Sequence, residues 1–116
     1  MENVIKGKSY KFALRIIKLH DYVVKNRREF VLSKQVLRSG TSIGANIEES
    51  VASQSRKDFI NKMSIAHKEA RETHYWIRLL RDSKYLEGRI AESLLIDCDE
   101  ILKISGKIIS TSRKSI

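Results

Sequence analysis

Apolar residues recur along this chain with the alternating spacing of three and four that is typical of amphipathic α-helices. In the first such segment, from about Lys8 to Asn26, one apolar line consists of Phe12, Ile16, Leu19 and Val23. A second line lies one residue later and consists of Ala13, Ile17, His20 and Val24. The two adjacent lines predict a helix whose broad apolar stripe faces a core.

The second segment predicts a helix from about Ser33, interpreted as its N-cap, to about Ser53. Its inner line consists of Val36, Gly40, Ile43, Ile47 and Val51. Small residues are frequent between these positions, and each glycine inside a helix costs about 1 kcal/mol relative to alanine. Gly40 and Gly44 therefore indicate that another backbone approaches this helix closely.

The third and fourth segments show the longest periodic patterns. The third helix is predicted to open at Ser55, which forms a near capping box with Asp58, and to end near Ser83. Its inner line consists of Phe59, Met63, Ala66, Ala70, Thr73, Ile77 and Leu80. The fourth helix is predicted from about Glu87 to about Thr111, and one of its lines consists of Ala91, Leu95, Cys98, Leu102, Ser105 and Ile109.

Short connections between the four segments predict that neighbouring helices run antiparallel. The expected fold is an all-α, antiparallel up-down-up-down four-helix bundle, formed as a single domain by residues 1–116. Several helices have apolar stripes wider than one core seam requires. We therefore expect a second apolar face to be buried against another copy of the chain, which makes a homo-oligomer.

Composition agrees with long helices and places the protein in the cytoplasm. The 116 residues include no proline, so nothing interrupts the helices, and the single cysteine, Cys98, cannot form an internal disulfide. The first residues lack the apolar run of a signal peptide, and no stretch approaches the roughly 20 apolar residues that span a membrane. We expect a cytoplasmic protein that does not enter a membrane.

The net charge of +9 is concentrated at the two ends of the chain. Residues 1–38 carry ten Lys/Arg and three Asp/Glu, a balance of +7, and residues 101–116 carry four basic residues and no acidic residue. Residues 39–100 carry nine basic and eleven acidic residues, a balance of −2. Terminal segments of this kind favour polyanions such as nucleic acid, although a solvated surface that aids solubility has the same composition.

Conventional catalytic and metal-binding patterns are missing from the sequence. No histidine follows a glutamate at the Glu-x-x-His spacing of di-iron bundles. His67 and His74 are seven positions apart, about 10 Å along a helix, which is too far for both to bind one ion directly. The sequence contains neither a Gly-rich phosphate loop nor a nucleophile elbow. Cys98 lies on an apolar seam and is expected to be inert. We expect no catalytic residue, no metal and no cofactor.

One polar stripe stands out on the second helix, beside two glutamates of the third. If the stripe faces the third helix, Arg38 could pair with Glu69 or Glu72. A partly buried carboxylate is costly unless it is paired, so we interpret the set as a structural network that fixes helix register. A catalytic pair of carboxylates is the alternative interpretation. The set consists of Arg38, Ser42, Asn46, Glu49, Glu69 and Glu72.

The stretch from Gln35 to Glu49 resembles the signature of the 23S rRNA-intervening-sequence protein family, which reads approximately Q-x-x-R-(S/A)-x-x-S-I-x-x-N-I-x-E. The matching residues are Gln35, Arg38, Ser39, Ser42, Ile43, Asn46, Ile47 and Glu49. The third helix agrees too, through Asp58-Phe59-Ile60, Ile65-Ala66, Glu69-Ala70 and Glu72-Thr73. The chain departs from the usual pattern where Ser50 replaces a frequent glycine, and at Lys68 or Glu69, where many members have serine.

The resemblance implies a four-helix up-down bundle without catalytic residues to carry over. Some members of the family are encoded within insertions in bacterial 23S rRNA genes. A related group comprises accessory proteins of diversity-generating retroelements, similar to a basic pentameric barrel that binds nucleic acid and helps a reverse transcriptase. By that analogy we expect a pentamer. The oligomer number and the partner are not determined by the residues themselves.

The first functional hypothesis is therefore a non-enzymatic, oligomeric bundle that binds RNA or DNA through phosphates, without base specificity. The candidate contacts were chosen by charge clustering and consist of Lys8, Lys11, Arg15, Lys18, Arg28, Lys103, Lys107, Arg113 and Lys114. The second hypothesis is a protein-interaction or scaffolding module, such as a reverse-transcriptase or ribosome-associated accessory protein, with no direct nucleic-acid contact. The third is an enzyme of unrecognised type that uses Glu69 and Glu72 with Arg38.

Overall fold

The computed structural model describes residues 2–114, which form four α-helices joined by short connections. The helices are α1 (Glu2–Arg27), α2 (Leu32–Val51), α3 (Arg56–Asp82) and α4 (Gly88–Lys114). No β-strand occurs within this part of the chain. The predicted all-α fold is therefore confirmed.

Each helix packs against two neighbours, so that α1 and α3 each contact both α2 and α4. Contacts along the α1–α2 seam run in opposite directions, because Lys6 pairs with Glu48 whereas Ile16 lies against Gly40. The overall dimensions of 47 × 20 × 19 Å fit helices that lie side by side along one axis. The antiparallel up-down-up-down bundle is confirmed.

The core consists mostly of the inner lines that the periodicity predicts. Its largest fully buried side chains include Phe12, Ile16, Ile43, Met63, Ile77 and Leu94. Val51, which was assigned to the inner line of α2, is instead 42% exposed. The prediction was wrong there because the buried Ser50 takes the inward position in the last turn of α2.

Helices α1 and α4 are longer than predicted. The start of α1 near Lys8 was wrong, because Ile5 lies one heptad before Phe12 and is fully buried, which extends the apolar stripe toward the N-terminus. Helix α4 continues past Thr111 to Lys114. Within residues 2–114 no helix combines the length and the apolar character needed to cross a membrane.

The start of α2 corrects the prediction of Ser33 as its N-cap. The Glu29 carboxylate accepts hydrogen bonds from the backbone N–H groups of Val31, Leu32 and Ser33, at 3.1, 3.0 and 2.8 Å. Ser33 itself is buried inside the helix, and its hydroxyl donates to the Glu29 carbonyl oxygen. A glutamate two residues before the cap position therefore satisfies the free N–H groups, a role usually taken by a cap side chain.

The other helix ends follow simple backbone rules. The Ser55 hydroxyl accepts a hydrogen bond from the Asp58 backbone N–H at 3.0 Å, so the predicted N-cap of α3 is confirmed. Arg28, which follows α1, and Lys84, which follows α3, have φ angles of +52° and +71°. These left-handed residues turn the chain away from the helices that they follow.

Candidate nucleic-acid interface

The polar stripe of α2 meets α3 in an ion-paired cluster at the protein surface. The Arg38 guanidinium lies 3.4 Å from both carboxylate oxygens of Glu69 and also donates to the Glu72 carboxylate. The Trp76 indole N–H donates to the same Glu72 oxygen at 2.9 Å. The Arg38 side chain is 49% exposed and that of Glu69 is 19% exposed. The cluster therefore covers the α2–α3 seam at the surface and is not a deeply buried network.

Electrostatic interactions in this cluster favour the charged forms of its members. The hydrogen bond from Trp76, together with the pairing to Arg38, lowers the pKa of the Glu72 carboxyl below its ordinary value. The same pairing raises the pKa of Arg38. A carboxylate with a lowered pKa that already accepts from two donors is poorly suited to proton transfer near neutral pH. The geometry favours a role in fixing the two helices in register.

The rest of the polar stripe does not extend this cluster across the seam. The Ser42 hydroxyl donates to the Arg38 carbonyl oxygen at 2.6 Å, and the Asn46 amide donates to the Ser42 carbonyl oxygen at 2.8 Å. Both bonds stay within α2. Glu49 forms a separate ion pair with Lys62 of α3 at 3.2 Å. The stripe thus consists of two ion-paired contacts with α3 and a run of side chain–backbone bonds between them.

The cysteine is buried, and two of the three histidines are bonded to side chains of α4. Cys98 is buried, its thiol donates to the Ala70 carbonyl oxygen at 3.2 Å, and burial raises its pKa to about 12. The thiol is therefore protonated at neutral pH. His67 bonds to a serine and His74 to Asp99, and no group of three or more His, Cys, Asp or Glu in residues 2–114 could hold a metal ion.

Two of the cations predicted to bind nucleic acid near α1 are ion-paired with α4. Lys8 lies 3.0 Å from Glu100, and Arg15 lies 2.7 Å from Asp97 and also donates to the Ser93 hydroxyl. These two side chains close the α1–α4 seam, and their charge is largely neutralised there. The predicted contacts near α1 that form no ion pair within residues 2–114 are Lys11, Lys18 and Arg28.

A groove between α3 and α4 gathers most of the predicted cations of α4. Three open depressions, of about 640, 640 and 490 Å³, follow one another along it. The first two share Ser64 and Arg113, and the second and third share His67, so the groove is continuous. We call it the basic groove, and the cations that line it are Lys57, Lys68, Arg71 and Arg78 of α3 and Lys103, Arg113 and Lys114 of α4. Lys107, the remaining predicted contact, is exposed one turn from Lys103.

Two carboxylates offset only part of the positive charge of the basic groove. None of its seven cations forms an ion pair with any residue in the described range. Only two carboxylates line the groove, Asp58 and Asp99, and Asp99 lies 3.1 Å from His74. Every other acidic residue of the segment 39–100 except Glu87 is ion-paired outside the groove.

A neutral histidine lies in the middle of the basic groove. His67 Nδ1 lies 2.7 Å from the Ser105 hydroxyl, and a methyl group added at Gly106 would meet the imidazole Cε1 at 3.5 Å. Burial, followed by the charge of Arg71, lowers the pKa of His67 below 6.5. The ring is therefore uncharged at neutral pH, so it adds no charge to the seven cations around it.

A buried hydroxyl with no hydrogen-bond partner lies where the first two depressions meet. Ser64 Oγ is inaccessible to solvent and forms no hydrogen bond with any residue in the range 2–114. An unsatisfied buried hydroxyl costs about 1–3 kcal/mol. Because a ligand in the groove cannot reach this oxygen in the present arrangement, the hydroxyl is a local cost in stability and not a binding contact.

Four groove cations on α3 were missed when the sequence was read by segments. Lys57, Lys68, Arg71 and Arg78 are separated by 11, 3 and 7 residues, a spacing that keeps them on one face of a helix. The spacing was available in the sequence. The total charge of residues 39–100 hides it, because that total adds all faces of α3 together, whereas Glu69 and Glu72 lie on the face toward α2.

The geometry suits an extended polyanion better than a small molecule. From Lys57 to Arg78 the groove follows α3 for 21 residues, which is about 31 Å. Its depressions are open to solvent, and cations occur along its whole length. A row of phosphates could contact lysine and arginine side chains on both walls without any base being read.

Comparisons with known proteins agree with the fold. The sequence model of a family described as 23S rRNA-intervening sequence protein matches residues 1–107. A crystal structure of a protein of unknown function from the S23 ribosomal protein family of Bacteroides thetaiotaomicron is 52% identical in sequence. The similarity covers 94% of this chain and 97% of that chain, with a TM-score of 0.92. No curated protein matches the chain.

Proposed function

Because the chain belongs to the 23S rRNA-intervening sequence protein family, we propose that it is a non-catalytic bundle that binds nucleic acid along the basic groove. The bound groups are phosphates, and the binding is independent of base sequence. The compartment is the cytoplasm, where the buried thiol of Cys98 stays reduced.

One observation carries this proposal: within residues 2–114 the seven cations of the basic groove form no ion pair and only two carboxylates line the groove, while most acidic residues of the segment 39–100 are ion-paired elsewhere. Like charges placed close together destabilise a fold, so their clustering does not serve stability. Phosphates of a polyanion would relieve that repulsion and release condensed counterions. Non-specific complexes of this kind have dissociation constants of about 10⁻⁴–10⁻⁶ M at physiological salt.

The proposal is tested by reversing charge on the two walls of the groove. We expect Arg71→Glu combined with Lys103→Glu to weaken binding of a generic RNA hairpin about 100-fold at low salt, because each reversal removes a phosphate contact and adds repulsion. The matched control, Lys11→Glu with Lys18→Glu, makes the same change in charge on α1. It should weaken binding by less than about fivefold, through the long-range field alone.

Two results would overturn the proposal. One is the absence of any RNA or DNA binding by the wild-type protein at low salt. The other is an equal loss of affinity in the groove variant and the α1 variant, which would mean that the groove has no special role. Circular dichroism and a mass measurement on each variant ensure that fold and assembly are unchanged.

Self-association is the second part of the proposal, and exposed apolar residues on α1 support it. Tyr10, Leu14 and Ile17 are spaced by four and three residues, so they share one face, and they are 63%, 48% and 49% exposed. An apolar stripe of this kind is typical of an interface between chains. The structure's own core leaves it uncovered. We propose that a second copy covers it in a homo-oligomer, and the resemblance to the pentameric barrel supports five copies.

The oligomer is tested by light scattering. The wild-type protein should have about five times the 13.4 kDa mass of one chain, and Leu14→Glu with Ile17→Glu should reduce the mass toward that of one chain. The control is Ile96→Glu on α4, which alters an exposed apolar residue outside this face. A wild-type protein of 13.4 kDa in solution would contradict this part of the proposal.

A different observation favours the alternative function, a protein-interaction module. An apolar depression of about 330 Å³ lies between α1 and α4. Its lining consists of Arg15, Lys18, Leu19, Tyr22, Leu86, Ile90 and Leu94. A side chain from a reverse transcriptase or a ribosome-associated protein could occupy it. Pull-down from native lysate with and without nuclease separates the alternatives: partners that persist after nuclease, and that Ile90→Glu removes, would favour the protein partner.

A further inference from the structure

An exposed aromatic side chain on α3 lies next to two cations of the basic groove, although it lines none of the three depressions. Tyr75 is 47% exposed, and it follows Arg71 by four residues and precedes Arg78 by three, so the three side chains share one face of α3. Lys68 lies seven residues before Tyr75, two turns away on the same face. Tyr75 is therefore an aromatic residue set within a row of cations.

The contacts of Tyr75 hold its ring in place. The Arg78 guanidinium lies over the ring, 5.8 Å from its centroid, and the Tyr75 and Trp76 rings form a T-shaped pair with centroids 5.1 Å apart and an interplanar angle of 65°. The Tyr75 hydroxyl forms no hydrogen bond with any described residue. The ring is thus held by its neighbours, and its hydroxyl is not bonded to the protein. A planar ligand can therefore stack on the exposed part of the ring at little cost in side-chain entropy.

We infer that Tyr75 stacks against an unpaired base, so that the basic groove prefers single-stranded over duplex nucleic acid. This inference rests on the proposed function, because the flanking cations supply the phosphate contacts that bring a strand to the ring. Aromatic side chains within basic grooves bind bases of any sequence, since every base has a π-face. Bases in a duplex are already stacked on one another and are not available to Tyr75.

The other exposed aromatic residues lie outside the row of groove cations. Tyr10 is 63% exposed on α1, and Phe30 is 55% exposed in the connection between α1 and α2. Tyr22 is 38% exposed and lies beside Lys18 at the depression between α1 and α4. Among the described residues, none of the three has an arginine over its ring. Phe30 lies outside the proposed interface between copies, so it provides a control for the loss of an exposed aromatic side chain as such.

The experiment compares two single strands of about 12 nucleotides, within the site sizes of known single-strand-binding folds. One is oligothymidylate, and the other carries abasic sites in place of the bases and keeps the same phosphates. A duplex of equal length is the third probe. Trp76 is the only tryptophan of the chain and lies against Tyr75, so its fluorescence reports binding at this position directly.

The wild-type protein should bind oligothymidylate about tenfold more tightly than the abasic strand or the duplex, and the Trp76 emission should change. Tyr75→Leu should remove that tenfold preference while leaving affinity for the abasic strand unchanged. Tyr75→Phe should retain the preference because the ring remains. Phe30→Leu should behave like the wild-type protein. Since Tyr75 is half exposed, all of these variants are expected to fold.

The outcomes separate this inference from the proposed function. If the wild-type protein binds all three probes equally, or if Tyr75→Leu keeps the preference, the inference is wrong, while loss of binding on groove charge reversal still supports the proposed function. If no probe binds, or if groove charge reversal changes nothing, the proposed function itself is wrong. A preference that Phe30→Leu abolishes would place the stacking surface at the connection between α1 and α2 and would also overturn the inference.

Discussion

The two sides of helix α3 differ in whether their charged side chains are ion-paired. On the α2 side its carboxylates, Glu69 and Glu72, are paired with Arg38 across the seam. On the α4 side its cations, among them Arg71 and Arg78, form no ion pair within residues 2–114. The α2 side has its charges satisfied internally, whereas the α4 side leaves them available to a ligand.

Packing differs between the α1–α2 seam and the α3–α4 seam. At the first, Gly40 brings α2 so close to α1 that an added Cβ would lie 2.8 Å from two carbons of Ile16. Along the second, open depressions line the surface, and the Ser64 hydroxyl has no hydrogen-bond partner among residues 2–114. The comparison teaches that one helix can serve stability along one face and binding along another. Substitutions on the two sides should therefore differ in what they change.

The largest effect on stability is expected on the crowded side. Gly40→Ala would force its methyl group into Ile16, whose branched carbons lie close to the backbone and cannot move aside easily. We expect the free energy of unfolding to fall by about 2 kcal/mol, even though alanine is the better helix former by about 1 kcal/mol. Urea denaturation measures the change.

Gly44→Ala is the matched control for that substitution. An added Cβ there would meet the backbone and the hydroxyl of Ser9 at 3.5 Å, which is ordinary contact. The variant should therefore be as stable as the wild-type protein or more stable by about 0.5–1 kcal/mol. Equal destabilisation by both substitutions would show that the helices approach each other evenly and not most closely at Gly40.

A smaller difference in stability is expected between removing an ion-paired arginine and removing an unpaired one. Arg38→Ala should lower the free energy of unfolding by about 1 kcal/mol, because Glu69 and Glu72 would face each other without a cation. Arg71→Ala should change it by less than about 0.5 kcal/mol, since its guanidinium has no carboxylate partner. Thermal or chemical denaturation of both variants tests the comparison, which fails if Arg71→Ala is the more destabilising.

The smallest effect is a pH dependence from His67. Its pKa is lowered in the folded protein, so the unfolded chain binds the proton more readily. The stability associated with neutral His67 is therefore present above its ordinary pKa of 6.5 and is lost as the pH falls below it. His67→Gln should therefore flatten the fall in stability below pH 6.5. Urea denaturation at a series of pH values measures this, and a variant that keeps the wild-type fall in stability would contradict the expected shift.

The fold was readable from the sequence because burial is periodic. Phe12, Ile16, Ile43 and Ile77 occupy the positions that the spacing predicts, and Ser55 caps α3 as its side chain suggests. The family signature was also readable, since it is a local pattern in α2. The errors lie at helix ends, where a distant group decides the outcome: the start of α2 is set by a glutamate side chain that no cap rule includes.

The candidate interface was only partly readable, because it depends on which charges meet across helices. Lys8, Arg15 and Lys103 are all basic residues of the positively charged terminal segments. Carboxylates of α4 nevertheless pair with Lys8 and Arg15, whereas Lys103 forms no ion pair within residues 2–114. Total charge per segment cannot distinguish these cases. Counting charge by helix face would have placed Arg71 and Arg78 together, but whether a partner opposes them requires the packing of α3 against α4.

The salt dependence of binding tests the central claim most directly, because its slope counts phosphate contacts. For a single strand the slope of log affinity against log salt is about −0.7 for each phosphate neutralised. The account predicts that Arg71→Ala with Lys103→Ala makes the slope shallower by about 1.4, while Lys11→Ala with Lys18→Ala leaves it within about 0.3 of the wild-type value. A slope that does not change in the groove variant, or that changes equally in both, would contradict the assignment of the basic groove as the nucleic-acid interface.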